Sequence, residues 1–194
     1  MALLSVLLAS ALLMGLGLSI ALLGSAETTL AAHDRDARAL SYASRAAVAL
    51  AMSDLRALPS WIDVGKAGAF PEVSATPGRF ADASLLPTAP WGGSLDLRTL
   101  TARLQAESDA ASGVDRPVWR LFIYGSLDRL LPEPGRAEAW YLVVWVADDR
   151  GVLLARGAAL ASGDGRAMTE ISAVRQSAPE GPDLVRLIAV RPGL

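Results

Sequence analysis

Apolar side chains fall in two contrasting patterns along this 194-residue chain. The first 26 residues, MALLSVLLASALLMGLGLSIALLGSA, carry no charged side chain. From Glu27 the spacing changes to a helical period. Leu40, Ala43, Ala47, Leu50, Ala51 and Leu58 recur at three- and four-residue intervals through a stretch rich in alanine, and the first proline is Pro59. The two patterns join without a helix-breaking residue, so the sequence predicts one continuous rod from the N-terminus to Leu58. Asp34, Arg35, Asp36 and Arg38 fall mostly on the side away from the alanine stripe, which is shallow enough to let a sheet approach closely.

Twenty-five helical residues span roughly 37 Å, enough for a hydrocarbon core of about 30 Å with some tilt. Residues 1–26 are therefore expected to cross a membrane. A cleaved secretory signal is the rival reading, with Gly24-Ser25-Ala26 as a small-residue cleavage site. Signal peptides, however, start with basic residues and have an apolar core of about 7–15 residues. Here no Lys or Arg precedes Arg35 and the apolar run is much longer. Arg35, Arg38 and Arg45 follow the span, and the positive-inside rule would leave that side in the cytoplasm. A short basic leader once preceding Met1 would remove the conflict.

Beyond the rod the pattern breaks and then shortens. Residues 59–93 hold Pro59, Pro71, Pro77, Pro87 and Pro90, several glycines, and the scattered aromatics Trp61, Phe70, Phe80 and Trp91, which read as loop. Residues 94–107, SLDLRTLTARLQAE, set Leu97, Leu100 and Leu104 on one face behind a Ser94 or Asp96 cap, predicting a short amphipathic helix. Five runs then read as strands within a sheet spanning 117–192: 118–127, 139–147, 152–161, 167–176 and 184–191. Trp140 to Val146 is apolar in both phases and should be buried on two faces, one of them against the long helix. Met168 to Gln176 is more polar and reads as nearer an edge or wet on one side. The links Asp148-Asp149-Arg150-Gly151 and 162–166 suit antiparallel hairpins. The expected fold class is α+β: an N-terminal helix, membrane-spanning in its first half, packed on an antiparallel sheet.

Composition narrows the function classes. The formal charge is −2, Lys66 is the single lysine and no arginine-rich run occurs, so nucleic-acid binding has no electrostatic footprint. With no cysteine there is no disulfide framework, thiolate metal site or thiol nucleophile. His33 is the single histidine, sits just past the span, and has no nucleophile-elbow sequence to serve. Asp148 and Asp149 lack further oxygen ligands at regular spacing and read as turn caps. Gly163-Asp164-Gly165 reads as a hairpin tip rather than a phosphate cradle. The expectation is a protein that is not an enzyme, with no catalytic residue, metal, cofactor or small-molecule substrate.

Residues 27–55, ETTLAAHDRDARALSYASRAAVALAMSDL, resemble the stretch after the membrane span in PilX-type minor pilins, with a Glu-Thr pair, an arginine-bearing polar turn and a tyrosine-alanine block, here Tyr42-Ala43-Ser44-Arg45-Ala46-Ala47. Arg45 stands where the family usually has an acid and Ala47 where it usually has glycine. Residues 146–176, VADDRGVLLARGAALASGDGRAMTEISAVRQ, are similar to the C-terminal hairpins of the same proteins. The resemblance implies a type IV pilin-like subunit, made as a prepilin, held in the inner membrane with its globular domain on the periplasmic side, and extracted into a pilus filament or its tip. Its partners would be other pilins, major and minor, and a tip adhesin, in the service of adhesion or motility. Position 5 is Ser5, where major pilins carry a Glu, so an accessory or priming role is implied. A pseudopilin of a type II secretion machine and a membrane-anchored or exported binding domain are the alternatives.

Helix packing would then replace chemistry as the working principle. Ala11, Gly15 and Ser19 repeat every four residues, as do Gly17, Ala21 and Ser25, giving small-residue faces along which helices can approach. With Ser5, and with Glu27 at the end of the span, they are the candidate packing residues. Gly15, Gly17 and Gly24 would also weaken the helix by about 1 kcal/mol each relative to Ala. Trp61 and Trp91 are expected to anchor the long connection or, where exposed, to mark a subunit contact.

Overall fold

The computed structural model describes residues 2–57, 84–113, 117–130, 139–163, 165–176 and 184–192. Helix α1 runs uninterrupted over Ala2–Ala57. The chain divides into two compact units, Met1–Ala39 and Leu40–Leu194, and α1 contributes to both. Leu58, Trp61, Phe70 and Phe80 lie outside the described residues.

The second unit is built on a five-stranded antiparallel sheet in the order β1-β2-β3-β4-β5. The strands are β1 (Arg120–Ser126), β2 (Tyr141–Asp149), β3 (Val152–Leu160), β4 (Arg166–Gln176) and β5 (Leu184–Pro192). Each pairs with its sequence neighbour, so the sheet is a simple meander whose local connections need no crossover. The turn between β2 and β3 places Arg150 at φ 55° and Gly151 at φ 86°, the double left-handed conformation of a type I′ hairpin. Asp148 Oδ1 accepts from the Gly151 N–H at 2.8 Å, the capping role expected for that aspartate.

One sheet face is covered by the second part of α1. Leu40, Ala43, Ser44, Ala47, Val48, Ala51, Met52 and Leu55 are buried, so that each has others three or four residues along the same helix face. The apolar ones meet Leu142, Val144 and Val146 of β2, Leu153, Ala155 and Ala159 of β3, and Ala173 of β4 in one core. Leu50, expected on this stripe, is only half-buried and packs at the margin. Val48, Met52 and Leu55 complete the stripe in its place, because the true helical line runs one step away from Leu50.

Helix α2 (Leu97–Ser112) belongs to the opposite face. Expected over 94–107, it starts three residues later because Asp96 is the cap: its Oδ1 accepts from the Thr99 N–H at 3.0 Å. It also runs on to Ser112, where Gly113, at φ 101°, ends it. Leu97 and Leu104 join Trp119, Leu121, Tyr124, Tyr141, Val143, Trp145 and Ala158 in a second core. Thus β2 is buried on both sides, its odd and even positions divided between the two cores. A bulge between Leu121 and Ile123 puts the consecutive Phe122 and Ile123 in the α1 core. A single turn, α3 (Leu127–Leu130), follows β1 directly and adds Leu127 and Leu130 to that core. A long N-terminal helix on a meander sheet is the α+β arrangement expected, and it is consistent with a pilin-like fold.

Candidate functional site

The candidate packing residues lie on the first part of α1, which is helical throughout. Its large apolar side chains have no partner within their unit. The thirteen from Leu3 to Leu23 are each 60–80% exposed. At about 1.5–3 kcal/mol for burying one such side chain, they represent on the order of 20–40 kcal/mol of burial not realised within the unit. Such a surface is suited to burial in another apolar environment. An 18-residue window reaches a mean hydropathy of 2.4 with none of it buried, and the helix is long and apolar enough to span a membrane.

Within this surface the small residues keep their helical spacing. A β-carbon added at Gly15, Gly17 or Gly24 would meet nothing within 4 Å, so these glycines open their helix face to an outside neighbour rather than to this chain. Ser19 Oγ donates to the Gly15 carbonyl at 2.8 Å and Ser25 Oγ to the Leu22 carbonyl at 3.1 Å. Both hydroxyls are thereby satisfied by their own helix, as serines in an apolar setting require. The face formed by Ala11, Gly15 and Ser19 is therefore smooth and non-polar in effect. Gly17, Ala21 and Ser25 form the second such face, and Ser5 lies in the first turns of the same helix.

Glu27 is exposed on the helix immediately after the apolar run. Thr28 and Thr29 both donate to the Ser25 carbonyl at 2.9 Å, so the polar transition is absorbed by the helix backbone. His33 is exposed on the next turn, and Asp34 pairs with Arg38 at 2.7 Å across one turn. Among the described residues no group of three or more His, Asp or Glu side chains is placed to hold a metal ion.

No protein-family model, curated protein or solved structure matches the chain.

In the globular unit several polar contacts tie the elements together. Trp145 Nε1 donates to Thr101 Oγ1 at 2.9 Å, pinning α2 to the centre of β2. Gln105 accepts from the Trp119 N–H at 2.8 Å and donates to the Pro117 carbonyl at 3.0 Å, tying the entry of β1 to the same helix. Arg156 and Glu170, directly opposite on β3 and β4, form a half-buried pair with Nε to Oε2 at 2.9 Å. The Arg156 guanidinium lies 4.9 Å from the Trp119 ring centroid. Sequence reasoning missed these contacts because each unites residues far apart in the chain.

Trp91 is half-buried and packs on the α2 side of the sheet, so it combines an anchoring contact with a partly open surface.

Proposed function

We propose that this chain is a minor, accessory subunit of a type IV pilus-like filament, anchored by α1 in the inner membrane with its globular unit on the periplasmic side before assembly. The observation that carries this reading is the division of labour along one unbroken helix. Residues 6–26 present unpartnered apolar and small side chains, and residues 40–55 are a core element of a folded sheet domain. A helix used only as an anchor has no need to continue into the fold of the domain it anchors. A subunit that must transmit its position in a helical bundle to a globular head does.

In this proposal α1 first satisfies its apolar surface with lipid and then exchanges lipid for the helices of other pilins. The exchange is nearly neutral in hydrophobic energy, because acyl chains and leucines are equally apolar. Packing along the Ala11–Gly15–Ser19 and Gly17–Ala21–Ser25 faces supplies the preference. A serine at position 5 brings no carboxylate to that bundle, which suits an initiating or accessory place rather than bulk polymer. A tip adhesin is a further partner on this reading.

Deleting the gene and counting surface fibres tests the proposal. Fewer or no fibres, restored by the intact gene, is the expected result. Unchanged fibre number and function would overturn it.

A further inference from the structure

A second surface, separate from the first part of α1, lies on the sheet face that α2 covers. Residues of the 84–96 segment, of α2 and of the β3–β4 turn enclose an open cleft of about 540 Å³. Its apolar walls include Trp91, Leu95, Leu100 and Leu160, and the exposed arginines Arg103 and Arg166 also line it. The same two arginines border a narrow extension of about 20 Å³ along Trp145 and Met168, with Glu107 beside it. Neither arginine has an ion-pair partner within 4 Å among the described residues, Glu107 included.

These features fit one kind of occupant. The volume lies within the range of about 300–1,000 Å³ typical of ligand sites, yet the cleft is open, as a surface that receives a chain segment must be. A half-buried tryptophan beside exposed guanidinium groups is a combination of residue types enriched in protein contacts. Guanidinium groups match carboxylates in geometry as well as charge. We propose that this cleft docks an acidic peptide segment of a partner protein, with apolar side chains against Trp91, Leu95, Leu100 and Leu160 and an adjacent carboxylate on Arg103 and Arg166. The inference does not depend on the filament reading, since none of these residues belongs to α1.

The test uses the full chain in a nonionic detergent and calorimetric titration with an acetylated, amidated Leu-Asp-Leu-Asp-Leu peptide. Its Asn-for-Asp and Lys-for-Asp counterparts and inorganic phosphate are the comparison ligands. The Asp peptide is expected to bind at least about fivefold more tightly than the Asn peptide, and Arg103→Glu with Arg166→Glu is expected to reverse the preference toward the Lys peptide. Equal binding of the Asp and Asn peptides by the unmodified chain would overturn the proposal without recourse to any variant. So would a charge reversal that leaves the preference unchanged, or displacement of the peptide by equimolar phosphate, which would mark a general anion site. Should the double variant not fold, Leu100→Gln and the peptide comparison on the intact chain decide the matter: loss of binding supports the cleft and undiminished binding overturns it.

Discussion

Gly157 of β3 lies directly under Val48 of α1: a β-carbon on Gly157 would stand 2.5 Å from Val48 Cγ2 and 2.8 Å from the Ser44 carbonyl oxygen. Ser44 and Val48 are fully buried, and that carbonyl is helix backbone, so neither neighbour can withdraw cheaply. The alanine-rich stripe on α1 and the glycine on β3 are thus two halves of one close approach. Gly157→Ala is expected to lower stability by about 1–3 kcal/mol, and Gly157→Val by more. Val48→Ala in the Gly157→Ala background should recover only part, because the carbonyl contact stays. Denaturant unfolding followed by tryptophan fluorescence measures both, and a Gly157→Ala protein as stable as the parent would show that the helix does not lie this close.

The same crossing holds a buried polar link. Ser44 Oγ and Thr169 Oγ1 are 2.7 Å apart, and Thr169 is the cross-strand partner of Gly157. The Ser44 hydroxyl also reaches the Ser41 carbonyl at 2.9 Å. Ser44→Ala leaves the Thr169 hydroxyl buried with this partner removed, a loss of about 1–3 kcal/mol. Thr169→Val is less costly, because Ser44 keeps its backbone acceptor. In the double variant no hydroxyl is stranded, so its cost should be smaller than the sum of the two, with a coupling of about 0.5–1.5 kcal/mol. Strict additivity in the cycle would mean the two hydroxyls do not interact.

Much of this architecture is legible from local pattern. The two-phase apolar run at Trp140–Val146 marks a strand buried on both faces, and β2 is shared between both cores. The more polar β4 lies next to the edge strand β5, as its composition suggests. What the pattern does not carry is information about depth of approach. Val48, Met52 and Leu55 are invisible as a preference over Leu50 until the sheet selects the helical line. Gly157 reads as an ordinary strand glycine until α1 lies over it. The bulge that puts Phe122 beside Ile123 depends on register with Val144 and Trp145, which only pairing defines. For the candidate packing faces, spacing alone proposes them, and the structure adds only that their glycines are open and that Ser19 and Ser25 are bonded within the helix.

The Arg156–Glu170 pair should carry modest, salt-sensitive stability. Both side chains are about one-fifth exposed, so screening is partial. Glu170→Gln is expected to cost about 1 kcal/mol at low ionic strength and less in molar salt. Arg156→Lys should cost a similar amount even in salt, since an ammonium cannot both fork to the carboxylate and stack on Trp119. Unfolding of each variant at two salt concentrations distinguishes the contributions, and equal salt sensitivity for both would refute the stacking component.

Asp96 gives α2 a pH-dependent cap. The Thr99 hydroxyl, at 2.7 Å from Oδ2, is the main influence holding its carboxyl below the usual carboxylate range, followed by the Thr99 backbone N–H. A carboxyl whose folded-state pKa is depressed contributes stability that is fully present above its unfolded value of about 4 and lost as pH falls through the folded value. Asp96→Asn keeps an acceptor for the Thr99 N–H and should retain most of the capping while losing this acid dependence. Asp96→Ala should lose both, with fraying of the first turn of α2. Thermal midpoints of the parent and the two variants, followed from about pH 6 downward past the unfolded value of about 4, check it. Parallel curves for the parent and the Asp96→Asn variant would exclude the charged cap.

On the proposed filament reading, the two small-residue faces of α1 would make separable demands on assembly. Gly15 lies on the face of Ala11 and Ser19, and Gly17 on the face of Ala21 and Ser25. Each glycine opens to space that no part of this chain fills. Because the Ser19 hydroxyl is held by the Gly15 carbonyl, association along this face depends on closeness rather than on hydrogen bonds between helices. Gly15→Ile should therefore weaken association by steric exclusion, by roughly 1 kcal/mol or about fivefold. Met14→Ile, at an 80% exposed position carrying an already bulky side chain, should change little. Because the chain contains no cysteine, a single Ser19→Cys substitution also gives an unambiguous crosslink from this face. If the proposed assembly holds, oxidation in membranes should join it to a cysteine placed on a neighbouring subunit's helix, and Gly15→Ile should suppress that product. If Gly17→Ile suppresses it instead, the second face is the one in use. If neither substitution affects crosslinking or association in a membrane reporter, these glycines do not serve helix packing.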